Sequence, residues 1–154
     1  MIRAGVGARL TLTVGGRMDM PAIGEKGRPL ELTGVVRAIT DGEYTITGPQ
    51  FQGMRCYMGR TAVLDTGAAE IVLIERNQEP WDRGVFTSVG IDPAAKRFLL
   101  LKSRMYFRPV FLPIAKGMVF CDSIGVGSSD WTRFEYKKLR RPIYPLDEFP
   151  AAHR

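Results

Sequence analysis

Arg60-Thr61-Ala62-Val63-Leu64-Asp65-Thr66-Gly67-Ala68-Ala69-Glu70-Ile71-Val72-Leu73-Ile74-Glu75 is the stretch from which the fold can be read. Two short apolar runs, Arg60 to Leu64 and Glu70 to Glu75, flank a group of turn-forming residues. The spacing predicts a β-hairpin joined across Asp65-Thr66-Gly67. On the N-terminal side the pattern continues. Ala8 to Val14 alternates, with Arg9, Thr11 and Thr13 set against Leu10, Leu12 and Val14, which predicts a half-buried strand ended by Gly15-Gly16. A polar loop rich in Gly and Pro follows to Pro29. Leu30 to Ile39 reads as a second strand, with Leu32, Val35, Val36 and Ile39 as its apolar members. Asp41-Gly42 predicts a tight hairpin turn, because both positions tolerate positive φ, and Glu43 to Thr47 is the expected return strand.

C-terminal to the quoted hairpin the character changes. Asp92-Pro93-Ala94-Ala95 predicts a helical turn with Asp92 as its N-cap. Phe98-Leu99-Leu100-Leu101 is a continuous apolar run, too short for a helix and suited to a strand buried on both faces. Ser103 is expected to cap a helix carrying Met105, Tyr106, Phe107, Val110, Phe111 and Ile114, made irregular by Pro109 and Pro113. With Met118 to Cys121 as a further strand, these pieces predict one βαβ-like unit near residues 97–121, its two strands parallel through a right-handed crossover. The expected class is α+β, mostly antiparallel or mixed β-sheet with hairpins. Residues 148–154 are expected to form a tail.

Composition sets limits on function. The chain has 154 residues, 45% hydrophobic and 25% charged, which suits a single globular domain and excludes a disordered chain. Two cysteines, Cys56 and Cys121, are too few for a secreted disulfide framework. The first ten residues lack the apolar core of a signal peptide, and no run approaches the roughly 18 apolar residues of a membrane span. A cytoplasmic location is expected by elimination. The formal charge is +6, and five basic residues (Arg133, Lys137, Lys138, Arg140 and Arg141) stand against one acid, Glu135, in one short segment. Such a run is expected to be a solvated face or a surface lying against another chain.

The residue types narrow the chemistry further. His153 is the only histidine and stands next to the C-terminus, and the two cysteines are far apart in sequence. Zinc and iron enzymes use three or four His, Cys or carboxylate ligands, so no metal site and no catalytic residue is assigned to this chain. No G-x-S-x-G motif is present, and a nucleophile that depends on histidine lacks one. Gly5-Val6-Gly7 and Gly125-Val126-Gly127 lack the further residues of a phosphate loop and read as turns.

The best candidate site is Lys102-Ser103-Arg104-Met105-Tyr106-Phe107-Arg108. It follows an expected buried strand and opens an expected helix, an arrangement that gathers N–H groups, a hydroxyl and cations for an anionic ligand. The candidate substrate-binding residues are Lys102, Ser103, Tyr106 and Arg108. A purely structural reading fits as well, with Ser103 as cap, Tyr106 and Phe107 as core, and Lys102 and Arg108 in solvent.

Gly90-Ile91-Asp92-Pro93-Ala94-Ala95-Lys96-Arg97-Phe98-Leu99-Leu100-Leu101-Lys102-Ser103 resembles the C-terminal domain of the MlrC-like metallopeptidases, the family of microcystinase C. Asp41-Gly42, Met58-Gly59-Arg60-Thr61-Ala62-Val63-Leu64, Phe107-Arg108 and Arg140-Arg141-Pro142-Ile143-Tyr144-Pro145-Leu146-Asp147 carry the same resemblance in order. It spans about residues 4–147, so residues 1–147 are expected to form the domain.

The resemblance implies a two-domain hydrolase of peptides or amides whose larger N-terminal domain holds zinc. This chain would then need that domain, or a separate subunit carrying it, as partner, and would hold no cofactor itself. Lys102-Ser103 and Phe107-Arg108 match the family's usual pairs. Tyr106 stands where the family commonly has histidine, and its phenol, with an ordinary pKa near 10, is a weaker acid at neutral pH. The expected role is to wall one side of the active-site cleft. Two alternatives come from other classes. One is a basic, β-rich module that stacks single-stranded nucleic acid on Trp131, Phe134 and Tyr136, and it is the less favoured. The other is a structural domain that forms homo-oligomers through exposed apolar surface.

Overall fold

The computed structural model describes residues 1–121 and 127–148. His153 and most of Gly125-Val126-Gly127 therefore lie outside the described residues, as does the expected tail beyond Glu148. The chain forms two compact units, one of Met1–Leu12 with Glu31–Met118 and one of Thr13–Leu30 with Val119–Arg154. No helix among the described residues is long and apolar enough to cross a membrane.

Among the described residues six strands appear in chain order: β1 (Arg9–Val14), β2 (Leu30–Thr40), β3 (Glu43–Thr45), β4 (Arg55–Tyr57), β5 (Thr61–Asp65) and β6 (Glu70–Ile74). Four make one sheet in the order β1-β2-β5-β6, and β3 and β4 make a separate antiparallel pair. The class is α+β and mainly antiparallel β. The β5–β6 hairpin forms in full register from Thr61↔Ile74 to Asp65↔Glu70. Its turn is closed locally: Gly67 N–H donates to Asp65 Oδ1 at 2.7 Å and Thr66 N–H to the Ala69 carbonyl at 3.0 Å. The Gly67 N–H, and after it the Arg37 guanidinium at 2.8 Å, hold the Asp65 carboxyl below the usual carboxylate range. Arg37 reaches Asp65 from a bulge, where the β2–β5 register shifts between Val36 and Ala38.

β5 is the heart of the first unit. Thr61, Ala62, Val63 and Leu64 are all buried, so both faces of the strand are covered. Val63 packs with Val89 and Ile91, and a second cluster gathers Met58, Val85, Phe107, Val110 and Phe111. Arg60, at the start of the hairpin, grips Glu75 through its side chain and its backbone N–H, which pulls the Glu75 carboxyl down to about 2.

Two sequence expectations are corrected here. Asp41-Gly42 does not close a hairpin between β2 and β3. The Gly42 carbonyl accepts from Met58 N–H at 2.9 Å, and β3 pairs with β4. Gly42 has φ of 76°, and a Cβ there would lie 2.1 Å from the Gly59 carbonyl oxygen. The glycine is thus required by a close backbone approach as well as by its turn conformation. The βαβ-like unit near residues 97–121 is also not formed. Phe98–Leu101 and Met118–Cys121 carry no strand, and the helical part shrinks to α2 (Arg108–Phe111) and a 3₁₀ turn at Leu112–Ile114. Pro109 and Pro113 each lack an N–H, which limits the helix to one turn at a time.

The 3₁₀ turn at Pro93–Ala95 forms as expected, with Ala94 N–H donating to Asp92 Oδ1 at 2.9 Å. A short helix, α1 (Gly84–Thr87), and a 3₁₀ turn at Pro21–Ile23 precede it. Both cysteines are free thiols, Cys56 buried in β4 and Cys121 exposed.

In the second unit, Asp130 caps a 3₁₀ turn at Trp131–Arg133, and Arg141 grips Asp147 through two nitrogens. The Asp147 carboxyl is lowered by that arginine first and then by the Ile143 N–H.

Candidate functional site

The loop Glu79-Pro80-Trp81-Asp82-Arg83 organises the surface that carries the candidate residues. Asp82 is 1% exposed. Its Oδ2 accepts from Thr47 N–H at 3.1 Å and Gly48 N–H at 2.7 Å, and its Oδ1 accepts from Gly84 N–H at 2.7 Å. Three amide dipoles converge on one buried carboxylate and tie the end of the β3 segment to the start of α1. Gly84 is required there, since a Cβ would sit 2.0 Å from Tyr44 Cδ2. Burial, and then the Cys56 thiol beside it, push the Tyr44 phenol above its ordinary pKa. Arg83 Nε donates to the Val110 carbonyl at 3.4 Å, which links α1 to α2.

On this frame the four candidate residues take separate positions. The Ser103 hydroxyl donates to the Glu79 carboxylate. It does not cap α2, whose N-cap is Phe107 without any side-chain capping bond. The glutamate, 24 positions away in sequence, has taken the hydroxyl that the sequence reading gave to the helix. Tyr106 stands edge-on to Trp81 with ring centroids 6.0 Å apart, and Trp81 leans on Phe51 at 5.2 Å. Tyr106 is 44% exposed, so its ring is an anchored surface group rather than core. Phe107 is buried, as the structural reading had it. Lys102 and Arg108 are exposed. With α2 only four residues long, the expected helix N-terminus contributes little to anion binding.

One short segment carries two exposed cations, an anchored hydroxyl and Tyr106, which joins an aromatic row with Trp81 and Phe51 from elsewhere in the chain. Such a surface suits a ligand with a carboxylate and a planar or apolar flank. Trp81 Nε1 and Gln50 Oε1 are buried without a hydrogen-bond partner among the described residues. A polar group or ordered water that reached them would recover the desolvation cost, of order 1–3 kcal/mol each. Sequence reasoning missed Glu79, Trp81 and Asp82, whose contacts are long-range and leave no local period.

Metal chemistry does not fit the described residues. Among them no three His, Cys, Asp or Glu side chains come together as a ligand group. The basic segment of the second unit is partly neutralised, with Arg133 on Asp130 at 3.1 Å and Arg141 on Asp147. Beside it Pro21, Ala22, Trp131, Phe134, Glu135, Tyr136 and Lys137 line a shallow cleft of about 520 Å³.

Comparison with known proteins adds to this geometry. A family model described as MlrC C-terminus matches residues 1–138. Microcystinase C from Sphingomonas sp. is 27% identical over 146 residues, which is 94% of this chain and 26% of that protein. A crystal structure from Mesorhizobium sp. BNC1, of a protein assigned as a metallopeptidase, superposes with a TM-score of 0.79 at 24% identity, over 99% of this chain and 29% of that one. The chain thus spans about a quarter of the length of these two relatives.

Proposed function

The chain belongs to the MlrC C-terminus family, and from that premise we propose that it serves as the cleft-forming part of a metal-dependent peptide or amide hydrolase. The observation that carries the reading is the family match over residues 1–138, with a relative named microcystinase C along 94% of the chain. In this reading zinc is held by a portion of the enzyme that this chain does not supply, either in the same polypeptide or in a companion subunit. The chain alone is then inactive.

Within the assembled enzyme Lys102 and Arg108 orient a substrate carboxylate. Ser103 is oriented by Glu79, and Tyr106, anchored on Trp81, donates a hydrogen bond from its exposed edge of the cleft. Arg108→Ala in an assembled MlrC-length enzyme carrying this domain should lower kcat/KM for peptide hydrolysis at least tenfold, about 1.4 kcal/mol. Unchanged kinetics would remove Arg108 from the site.

A further inference from the structure

Phe98-Leu99-Leu100-Leu101-Lys102 is a segment of the first unit whose backbone has no hydrogen-bond partner among the described residues. Leu99 and Leu101 pack against the cluster of Met58, Val85, Phe107, Val110 and Phe111. Phe98 and Leu100 are 76% and 91% exposed. This in–out alternation is the period of a strand. Yet none of the five residues lies in a strand or makes a backbone hydrogen bond among the described residues. The inner leucines hold the segment on the core, so it cannot withdraw its outer side chains from water. The Arg97 guanidinium, 5.3 Å from the Phe98 ring centroid, shields one ring face, and Leu100 has no such cover.

Open strand edges are normally blunted by charge, proline, a bulge or an overlying element. Phe98 to Leu101 carry no proline and no bulge, and the charges of Arg97 and Lys102 stand only at the two ends of the run, leaving Leu100 uncovered. An overlying element remains. The relatives can provide one, because the matched region is only 26% of microcystinase C and 29% of the solved Mesorhizobium protein.

Resting on the reading of this chain as one part of an MlrC-type enzyme, we infer that Phe98–Lys102 is a docking edge for an extended apolar segment from the remainder of that enzyme. The incoming segment adds as a strand, pairs with the vacant N–H and C=O groups, and covers Phe98 and Leu100. Phe98–Leu101 thereby becomes the strand buried on both faces that its composition describes. The edge ends at Lys102, one residue before Ser103, so docking would also bring the metal-bearing portion beside the candidate substrate contacts.

The test is hydrogen–deuterium exchange read by mass spectrometry on two molecules. One is the isolated 154-residue chain; the other is a single polypeptide in which this chain replaces the matched part of the Sphingomonas sp. microcystinase C. Amides of residues 98–102 should exchange at least about 100-fold more slowly in the graft than in the isolated chain. Leu100→Asp in the graft should restore fast exchange there while β5 and β6 stay protected. Equal exchange in the two molecules, with β5 and β6 protected in both, would overturn the inference. So would concentration-dependent protection of the isolated chain, which would assign the edge to a second copy. Should the graft not fold, the isolated chain is mixed with the separately purified remainder of the Sphingomonas sp. protein, and exchange unchanged by mixing overturns the inference equally. Peptide hydrolysis by the graft is scored separately. A protected edge without hydrolysis leaves the docking intact and removes the hydrolase reading.

Discussion

Thr61-Ala62-Val63-Leu64 and Phe98-Leu99-Leu100-Leu101 are four-residue runs of similar apolar character that meet opposite fates. The first contains a threonine and is buried throughout, as β5 between β2 and β6. The second is wholly apolar and is unpaired among the described residues, with its outer side chains in water. Hydrophobicity alone does not place a strand inside a sheet. The difference lies in neighbours: β5 has a hairpin partner five residues away across a turn closed by Asp65, whereas Phe98–Leu101 is followed by Pro109 and Pro113 and has no adjacent strand to pair with among the described residues. Local closure costs little chain entropy, and a distant partner must first be brought in.

The widest separation between the two runs should appear on truncation. Leu64→Ala should destabilise the protein by about 4 kcal/mol, the cost of a cavity at a sealed position. Leu100→Ala should change stability by no more than about 0.5 kcal/mol in the isolated chain. Urea unfolding of both variants checks the pair, and a similar loss at both positions would break the comparison.

Asp82→Ala should come next, at about 3 kcal/mol in the same assay, because three backbone N–H groups lose their acceptor in a buried loop. A much smaller loss would mean that water replaces the carboxylate and that the loop does not brace the candidate surface.

The smallest effect concerns the base of the hairpin. Glu75 is depressed from its ordinary 4.5 to about 2, first by the Arg60 side chain and then by the Arg60 N–H. A depressed carboxyl stabilises the fold fully above its unfolded pKa and loses that contribution as pH falls through the folded value. Wild type should therefore lose its small advantage over Glu75→Gln between pH about 4.5 and about 2. Both charges are largely in solvent, so added salt should shrink the difference. A constant gap across that range would remove the ion pair as its cause.

The sequence was most legible where partners are close along the chain. Alternation gave β1 and most of β2, turn chemistry gave the β5–β6 hairpin, and Asp92-Pro93 gave the capped turn. The pairing of β3 with β4 escaped because Asp41-Gly42 satisfies a turn equally well whether or not the flanking strands pair. Its glycine answers a steric demand from Gly59, 17 residues on, that no local pattern records. The candidate surface was half legible. Lys102, Ser103, Tyr106 and Arg108 fall on one short segment, but their supports, Glu79 and Trp81, come from a loop whose residues make ordinary sense only after folding. The apolar excess of Phe98–Leu101 predicted a strand, and among the described residues no neighbour pairs with it, so no strand forms there.

The placement of the two thiols has a practical consequence. Cys121 is open to solvent, while Cys56 is enclosed in β4 next to the Tyr44 phenol. An alkylating reagent will therefore consume the first at once and the second only when the β3–β4 pair comes apart. The molecule carries a built-in clock for its own breathing, read without any added label.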